Sequence, residues 1–159
     1  INLDTLKGAI NTNLINLILI IKKIVPLMKK NKFGRVINLA STTAKEPDPG
    51  MMLSNITRAG IIAFSKTAAI ELSKFGITFN SILTGGVMTD RTISLLKNYS
   101  KKNKKNYKNV LKEAIEETPV GFIPSPEEFA HFIVFLSSPL SGFINGASIP
   151  IDGGTMKSI

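Results

Sequence analysis

Two polar segments follow short apolar runs and contain side chains that could act on a carbonyl group. Ser41 comes directly after the run at residues 35–40, and residues 84–90 come directly after the run at 77–83. A serine hydroxyl can donate a hydrogen bond that polarises a carbonyl oxygen. Arg58, which follows on the next predicted helix, carries a permanently charged guanidinium that can hold a ribose diol.

The apolar pattern around these segments predicts strands that alternate with helices. The predicted strands are short apolar runs at residues 35–40, 77–83 and 147–151. The predicted helices repeat apolar residues at helical spacing, at residues 13–28, 61–74 and 127–136. We therefore expect an α/β fold, a doubly wound parallel sheet with three parallel strands flanked by helices. Ligands of such sheets bind beyond the carboxyl ends of the strands.

The order of the motifs resembles that of the short-chain dehydrogenase/reductases over nearly the whole chain. The segment GRVINLAS at residues 34–41 resembles the strand that ends in the family's catalytic serine, and INTNL around Asn13 resembles the helix before it. The segment NSILTGGVMTD is similar to the family's nicotinamide segment, although Thr84 stands where the family has proline. PSPEEFAHFIVFLSSP and NGASIPIDGG resemble its last helix and strand. The resemblance implies the C-terminal part of a Rossmann-like domain.

The resemblance also implies roles for individual residues. Ser41 would orient the substrate carbonyl, and Asn13 would hold a water molecule of the family's proton relay through its backbone. Gly85 would form a close backbone turn at the cofactor. Val87 would offer backbone groups to the nicotinamide carboxamide, and Thr89 would offer its hydroxyl. The implied cofactor is NAD or NADP.

Two positions depart from the family's YxxxK motif. Thirteen residues after Ser41, where the family has tyrosine, stands Ser54, and four residues later Arg58 replaces the lysine. A serine hydroxyl is shorter than a phenol and a far weaker acid, and a guanidinium is a poor proton donor. Similar SNxxR sequences occur among relatives of 3-oxoacyl-[acyl-carrier-protein] reductases. Tyr99 or Tyr107 could supply a phenol from the insert, although two tyrosines on a solvated helix are the simpler interpretation.

The chain is predicted to form one Rossmann-like domain over residues 1–159. No G-x-G-x-x-G motif follows a predicted strand near its start, so the resemblance implies that the family's phosphate-binding loop precedes residue 1. We therefore expect the N-terminal dinucleotide-binding half to be absent and residues 1–159 alone to bind a dinucleotide poorly. The helix at residues 13–28, which is apolar on more than one side, and the helix after Arg58 resemble those that pair across the family's dimer. This favours a homodimer or homotetramer.

Most of the net charge of +9 lies in a predicted helical insert at residues 91–118, which would cover the substrate site. Residues 91–112 contain one arginine, seven lysines and no acid. This pattern fits either a steering surface for an acidic carrier or nucleic acid, or a solvated helix. We favour the solvated helix, so nucleic acid is not an expected partner.

Other features restrict the class of protein. The chain has no cysteine, which suits the cytoplasm, and His131 has no second ligand at helical spacing, so no metal site is predicted. The longest apolar run, at residues 14–21, is too short to cross a bilayer, so no membrane span is expected.

Together these observations predict an NAD(P)-dependent oxidoreductase that acts on a carbonyl or a secondary alcohol, with a 3-oxoacyl thioester as one candidate substrate. Two alternatives stay open. The protein could be a non-catalytic nucleotide-binding or dimer-forming relative, since both the tyrosine and the lysine of the YxxxK motif are replaced. It could also be a basic interaction module that binds acidic carriers or nucleic acid through residues 91–112.

Overall fold

The computed structural model describes residues 1–158, which form six α-helices and three β-strands. The helices are α1 (Leu3–Ile10), α2 (Asn16–Asn31), α3 (Met52–Leu72), α4 (Asp90–Lys102), α5 (Tyr107–Glu116) and α6 (Pro126–Ser137). The strands are β1 (Gly34–Leu39), β2 (Ile77–Thr84) and β3 (Ser148–Ile151). The predicted strands are confirmed to within one residue at each end.

The three strands form one parallel sheet in the order β1-β2-β3. Val36 lies beside Phe79 and Ile82 lies beside Ile149. The central strand β2 is buried from Ile77 to Leu83, because helices cover both of its faces. The prediction of a parallel α/β sheet flanked by helices is therefore confirmed, and the carboxyl ends of the strands meet at one edge.

Helices lie on opposite faces of this sheet. On one face Ala68 and Ala69 of α3 pack against Ile77 and Phe79 of β2, and Val36 packs against the same cluster. Adjacent strand residues point to opposite faces. Arg35 therefore points away from this cluster, and its Nε donates a 3.2 Å hydrogen bond to the carbonyl of Ser138, directly after α6. Helix α6 thus covers the second face, as a doubly wound arrangement requires.

The N-terminal helix is longer than the sequence predicts. Instead of beginning at Asn13, it runs continuously over Leu3–Asn31, with a π-helical turn at Asn11–Ile15 between α1 and α2. The prediction was ten residues short because Asp4, Lys7 and Gly8 obscure the apolar repeat of α1.

The length of the whole N-terminal helix corrects the expectation that its apolar part is too short to cross a bilayer. At 29 residues and a mean hydropathy of 1.4 over its most apolar part, it is long and apolar enough to cross a membrane. One such helix is weak evidence for a membrane protein. Here α2 contacts β1 and α1 contacts α3, as in a helix of a folded domain.

The basic insert forms a hairpin of the two helices α4 and α5, and not one long helix. Lys104 adopts a left-handed backbone conformation with a φ of 52° in the turn between them. Two lysines of the insert reach glutamates of α5, Lys105 at 2.8 Å from Glu113 and Lys112 at 3.6 Å from Glu116. The placement of the hairpin over a substrate stays a prediction.

Candidate active site

Ser41 lies immediately beyond β1 and caps a short 3-10 turn at Thr42–Ala44. Its Oγ accepts hydrogen bonds from the backbone N–H of Thr43 at 3.2 Å and from the Thr43 hydroxyl at 3.1 Å. Serine is a favoured cap because its short side chain reaches the free N–H groups of the next turn. The turn thereby fixes the Ser41 hydroxyl at the carboxyl end of the strand, where ligands of parallel sheets bind.

Thr43 connects Ser41 to Ser54, the residue at the family's tyrosine position. Its Oγ1 lies 3.4 Å from the Ser54 Oγ on the first turn of α3. The three hydroxyls of Ser41, Thr43 and Ser54 form a continuous series, which we call the hydroxyl row. The sequence prediction included Ser41 and Ser54 but missed Thr43. The only sequence signal for Thr43 is its position two residues after a capping serine, a local pattern found in many turns.

Arg58 lies one helical turn after Ser54, and its Nη1 donates a 2.9 Å hydrogen bond to the carbonyl oxygen of Leu39. This bond fixes the guanidinium against the last residue of β1. Because a guanidinium has five N–H donors, the remaining donors are free to bind another oxygen-rich group. The structure thus places Arg58 beside the predicted serines.

Asn13 lies in the π-helical turn and faces a cavity of about 410 Å³ that Arg58 also borders. Gly60 on α3 allows the turn to come close, because a Cβ at this position would lie 2.9 Å from Leu14 Cδ2. Leu17, Ile20 and Ile21 make most of its wall apolar, and Asn16 and Asn38 add polar groups. The structure therefore places Asn13 and Arg58 at one cavity, whereas the role of Asn13 in a proton relay stays a prediction.

The predicted nicotinamide segment follows β2. A Cβ on Gly85 would lie 2.6 Å from the Cα of Asp152, so glycine is required for close packing against the end of β3. The Val87 carbonyl accepts hydrogen bonds from Thr89 N–H at 2.8 Å and Thr92 Oγ1 at 2.7 Å. The Thr89 hydroxyl accepts from Thr92 N–H at 3.2 Å and caps α4. These groups are close together, but they are engaged within the chain, and their cofactor roles stay predictions.

Two further cavities border these segments. One of about 500 Å³ is lined by Ser54, by Met51, Met52 and Leu53 before it, and by Gly50 and Ile1. The other, of about 300 Å³, lies between Gly86, the end of β3 and helix α6 and has mostly apolar walls. The first is next to the hydroxyl row and offers apolar surface beside it.

Two carboxylates hold the C-terminal segment near this edge of the sheet. Glu46 Oε1 accepts hydrogen bonds from the N–H groups of Ser158 and Lys157, which lower the pKa of Glu46. Partial burial raises the pKa of Asp152, but hydrogen bonds from the N–H groups of Met156 and Gly154, at 2.7 and 3.0 Å, outweigh it. The pKa of Asp152 is therefore below its ordinary value.

No group of three or more histidine, aspartate or glutamate side chains within residues 1–158 is arranged to hold a metal ion. His131 lies in α6, on the face of the sheet opposite α3. The groups at this edge of the sheet are therefore hydroxyls, one guanidinium, backbone amides and the carboxylates of Glu46 and Asp152, which are engaged by the C-terminal segment.

Comparison with known proteins confirms the predicted family. The profile of the family described as enoyl-(acyl carrier protein) reductase matches residues 1–156. The chain belongs to the short-chain dehydrogenase/reductases. That Ser41, Ser54 and Arg58 stand at the places of the family's serine, tyrosine and lysine stays a prediction.

Curated relatives of this short-chain dehydrogenase/reductase include two reductases. The chain is 33% identical to the NADPH-dependent reductase BacG of Bacillus subtilis, over 99% of this chain and 61% of that protein. It is 32% identical to the 3-oxoacyl-[acyl-carrier-protein] reductase FabG of Aquifex aeolicus, over 92% of this chain and 54% of that protein. The chain therefore spans little more than half the length of these relatives.

A solved structure of the family has the same fold. The crystal structure of L-sorbose reductase from Gluconobacter frateurii, complexed with NADPH and L-sorbose, superposes with a TM-score of 0.94 at 29% identity. The match covers 100% of this chain and 61% of that one.

Proposed function

We propose that the protein is an NAD(P)-dependent oxidoreductase that interconverts a carbonyl compound and a secondary alcohol. The main support is the hydroxyl row beside Arg58 at the carboxyl edge of the sheet. In this row the Thr43 Oγ1 lies 3.1 Å from the Ser41 Oγ and 3.4 Å from the Ser54 Oγ. Donors held in this way can stabilise the negative charge that develops on a carbonyl oxygen as it is reduced. Family membership and the named activities of the relatives support the same reaction class.

The side chains at this edge fit the nicotinamide and ribose end of a dinucleotide. A carboxamide needs both a donor and an acceptor, which the backbone and the hydroxyl group of residues 87–89 would supply by exchanging the hydrogen bonds that they make within the chain. Thr84 Oγ1 is buried without a hydrogen-bond partner just before this segment, and Arg58 keeps free donors for a ribose diol. The bound dinucleotide would supply a hydride. BacG is an NADPH-dependent reductase and the L-sorbose reductase structure contains NADPH, which favours NADP over NAD for this protein.

A 3-oxoacyl thioester is the substrate class that we propose. FabG of Aquifex aeolicus is named for this class, and the cavity beside Ser54 has apolar walls from Met51, Met52 and Leu53 that suit an acyl chain. The cavity size, about 500 Å³, is in the range of ordinary small-molecule sites.

The test is an assay of the intact polypeptide that carries these residues, with an acetoacetyl thioester and NADPH or NADH. Oxidation of the reduced cofactor that depends on the thioester, and that falls about 100-fold in Ser41→Ala, supports the proposal. The absence of thioester-dependent oxidation with either cofactor contradicts it. In that case, activity gained by the double variant Ser54→Tyr, Arg58→Lys would identify a relative that lost turnover with these two side chains.

Partners and location are further parts of the proposal. Helices α2 and α3 expose Leu19, Ile24, Leu27, Ile56 and Ile70, which supports the predicted homodimer or homotetramer. The alternative of a basic module rests on the unpaired lysines of α4 and the following turn. Binding to an acidic protein or nucleic acid that disappears at moderate salt, without any effect of dinucleotide, would support it. The cytoplasmic location stays a prediction.

A further inference from the structure

The hydrogen bonds of the hydroxyl row give it a direction. Ser41 Oγ accepts from both the N–H and the hydroxyl of Thr43, at 3.2 and 3.1 Å. A hydroxyl oxygen has two acceptor positions and one donor hydrogen. Both acceptor positions of Ser41 are therefore filled, and its own hydrogen is left to donate to a different group.

The same count fixes the second link of the row. Thr43 donates its only hydroxyl hydrogen to Ser41, so it must accept in its 3.4 Å contact with Ser54. Ser54 then donates to Thr43, Thr43 donates to Ser41, and Ser41 donates outward. Hydroxyls arranged in this order polarise one another, which makes the terminal hydroxyl a better donor than an isolated serine.

Arg58 cannot supply the proton that enters the row at Ser54. A guanidinium stays protonated at any physiological pH, and Nη1 of Arg58 is bound to the Leu39 carbonyl at 2.9 Å. In contrast, Ser54 borders the open cavity of about 500 Å³, which is large enough to hold water.

We propose that Ser41 is the proton donor of the reaction, the role that tyrosine has in the YxxxK motif. Thr43 is the positioning residue, which orients the Ser41 hydroxyl and returns a proton to it. The inference rests on the proposed function. As hydride from the reduced nicotinamide dinucleotide reaches the carbonyl carbon, the C=O π electrons move to oxygen, and this oxygen takes the Ser41 proton. Thr43 reprotonates Ser41, Ser54 reprotonates Thr43, and water in the adjacent cavity reprotonates Ser54. One carbonyl, one hydride and one water molecule give one alcohol and one hydroxide ion, which leaves through the open cavity and is neutralised in bulk solvent.

The absence of cysteine allows a direct test of the row without any turnover. Residues 1–159 contain no cysteine, so in the variant Ser41→Cys position 41 is their only thiol, and its pKa can be measured from the pH dependence of the rate at which iodoacetamide alkylates the peptide that contains it. A thiolate at this position would accept the hydrogen bonds that the Ser41 oxygen accepts, and hydrogen bonds to a charged form lower the pKa. The charged residues near the site along the chain are Lys45, Glu46 and Asp48 in the loop after Ser41 and Arg58 on α3, and Lys157 lies against Glu46. They stay the same in every variant compared, so their effect cancels.

In the Ser41→Cys background, we expect Thr43→Val to raise the thiol pKa by about one unit, because one donor to the thiolate is lost. Thr43→Ser keeps a hydroxyl and should leave the pKa unchanged. Thr42→Val is the matched control, since it removes the same hydroxyl one residue earlier, where no bond to either serine exists. If Thr43→Val does not fold, Thr43→Ala removes the donor without a bulky side chain and is expected to give the same rise.

Two results would overturn the inference. One is a thiol pKa that is equal in the Thr43→Ala or Thr43→Val variant and in its parent. The other is a rise in Thr42→Val as large as that in Thr43→Val.

An activity assay with serine at position 41 separates this inference from the proposed function. We expect Thr43→Val to lower kcat about tenfold or more with little change in KM, and Thr43→Ser to restore it. A rise of about tenfold in KM with an unchanged kcat would contradict the positioning role. A pKa shift without turnover in the parent protein would leave the donor row standing and overturn the proposed function.

Discussion

The carboxyl edge of the sheet has two parts, the segment beyond β1, which we call the first edge, and the segment beyond β2, which we call the second edge. The two parts use similar residues in different ways. Beyond β1, Thr43 fills both acceptor positions of Ser41, so the Ser41 hydroxyl keeps its hydrogen to donate to another group. Beyond β2, the Val87 carbonyl and the Thr89 hydroxyl are both engaged with Thr92 at the start of α4. The first edge is therefore arranged for a ligand before one binds. At the second edge a ligand must share or replace hydrogen bonds that begin a helix.

The largest effect is expected at the first edge. Ser41→Ala should lower kcat/KM for carbonyl reduction about 100-fold, as for the loss of one donor to a developing oxyanion. Thr89→Ala in the same assay should have a smaller effect, expressed mainly in the KM for the dinucleotide. Steady-state kinetics on both variants checks the difference, and equal losses in the two would remove the distinction between the edges.

Packing dominates at the second edge. Gly85→Ala should lower the free energy of unfolding by about 2 kcal/mol, because the new Cβ would meet the Asp152 backbone at 2.6 Å. Gly8→Ala is the matched control in α1, where no atom lies within 4 Å of the new Cβ, and it should stabilise by about 0.5–1 kcal/mol. Urea denaturation measures both changes. A neutral Gly85→Ala would mean that the ends of β2 and β3 can move apart freely.

The helix cap at the second edge is expected to matter less. Thr89→Ala removes the hydrogen bond to Thr92 N–H and should lower the free energy of unfolding by about 1 kcal/mol. Thr89→Ser keeps the capping oxygen and should lose much less. Thermal melts monitored by circular dichroism compare the variants, and identical melting temperatures would show that the cap is not needed.

The smallest effect concerns acid stability. Because hydrogen bonds hold the pKa of Asp152 below its unfolded value, its carboxylate contributes stability that is fully present above about pH 4. This contribution is lost as the pH falls through the folded pKa. Asp152→Asn should therefore narrow the difference in stability between pH 6 and the acid range, and urea midpoints at several pH values test it. If the stability of Asp152→Asn depends on pH as that of the parent does, the hydrogen bonds to Asp152 do not lower its pKa.

The fold was largely predictable because its signals are local. Glycines bound the apolar runs of β1 and β2, and the capping box at Ser125 and Glu128 marks the start of α6, which forms with both of its hydrogen bonds. The early start of α1 was missed because polar residues interrupt its apolar repeat. Such a helix is stabilised by packing against α3, which the sequence of α1 does not reveal.

The candidate site was predictable only in part. Spacing identified Ser41, Ser54 and Arg58, since a family motif fixes their separation along the chain. It did not identify Thr43, nor the Leu39 carbonyl as the acceptor for Arg58. Both contacts depend on how the short turn after β1 lies against α3, and one of them uses a backbone atom that every residue type carries.

The π-helical turn at Asn11–Ile15 has a consequence for changes in chain length. Such a turn contains one residue more than a regular helical turn. Deleting one residue there would leave one regular turn in its place, so that the sides of α1 and α2 keep their relation. Deleting one residue in a regular turn of α2 would instead rotate α1 relative to the rest of α2 by about 100°. The side of α1 that contacts α3 would then face elsewhere. We therefore expect the N-terminal helix to tolerate the loss of one residue at its π-helical turn or at its exposed start, but not in the regular turns of α2.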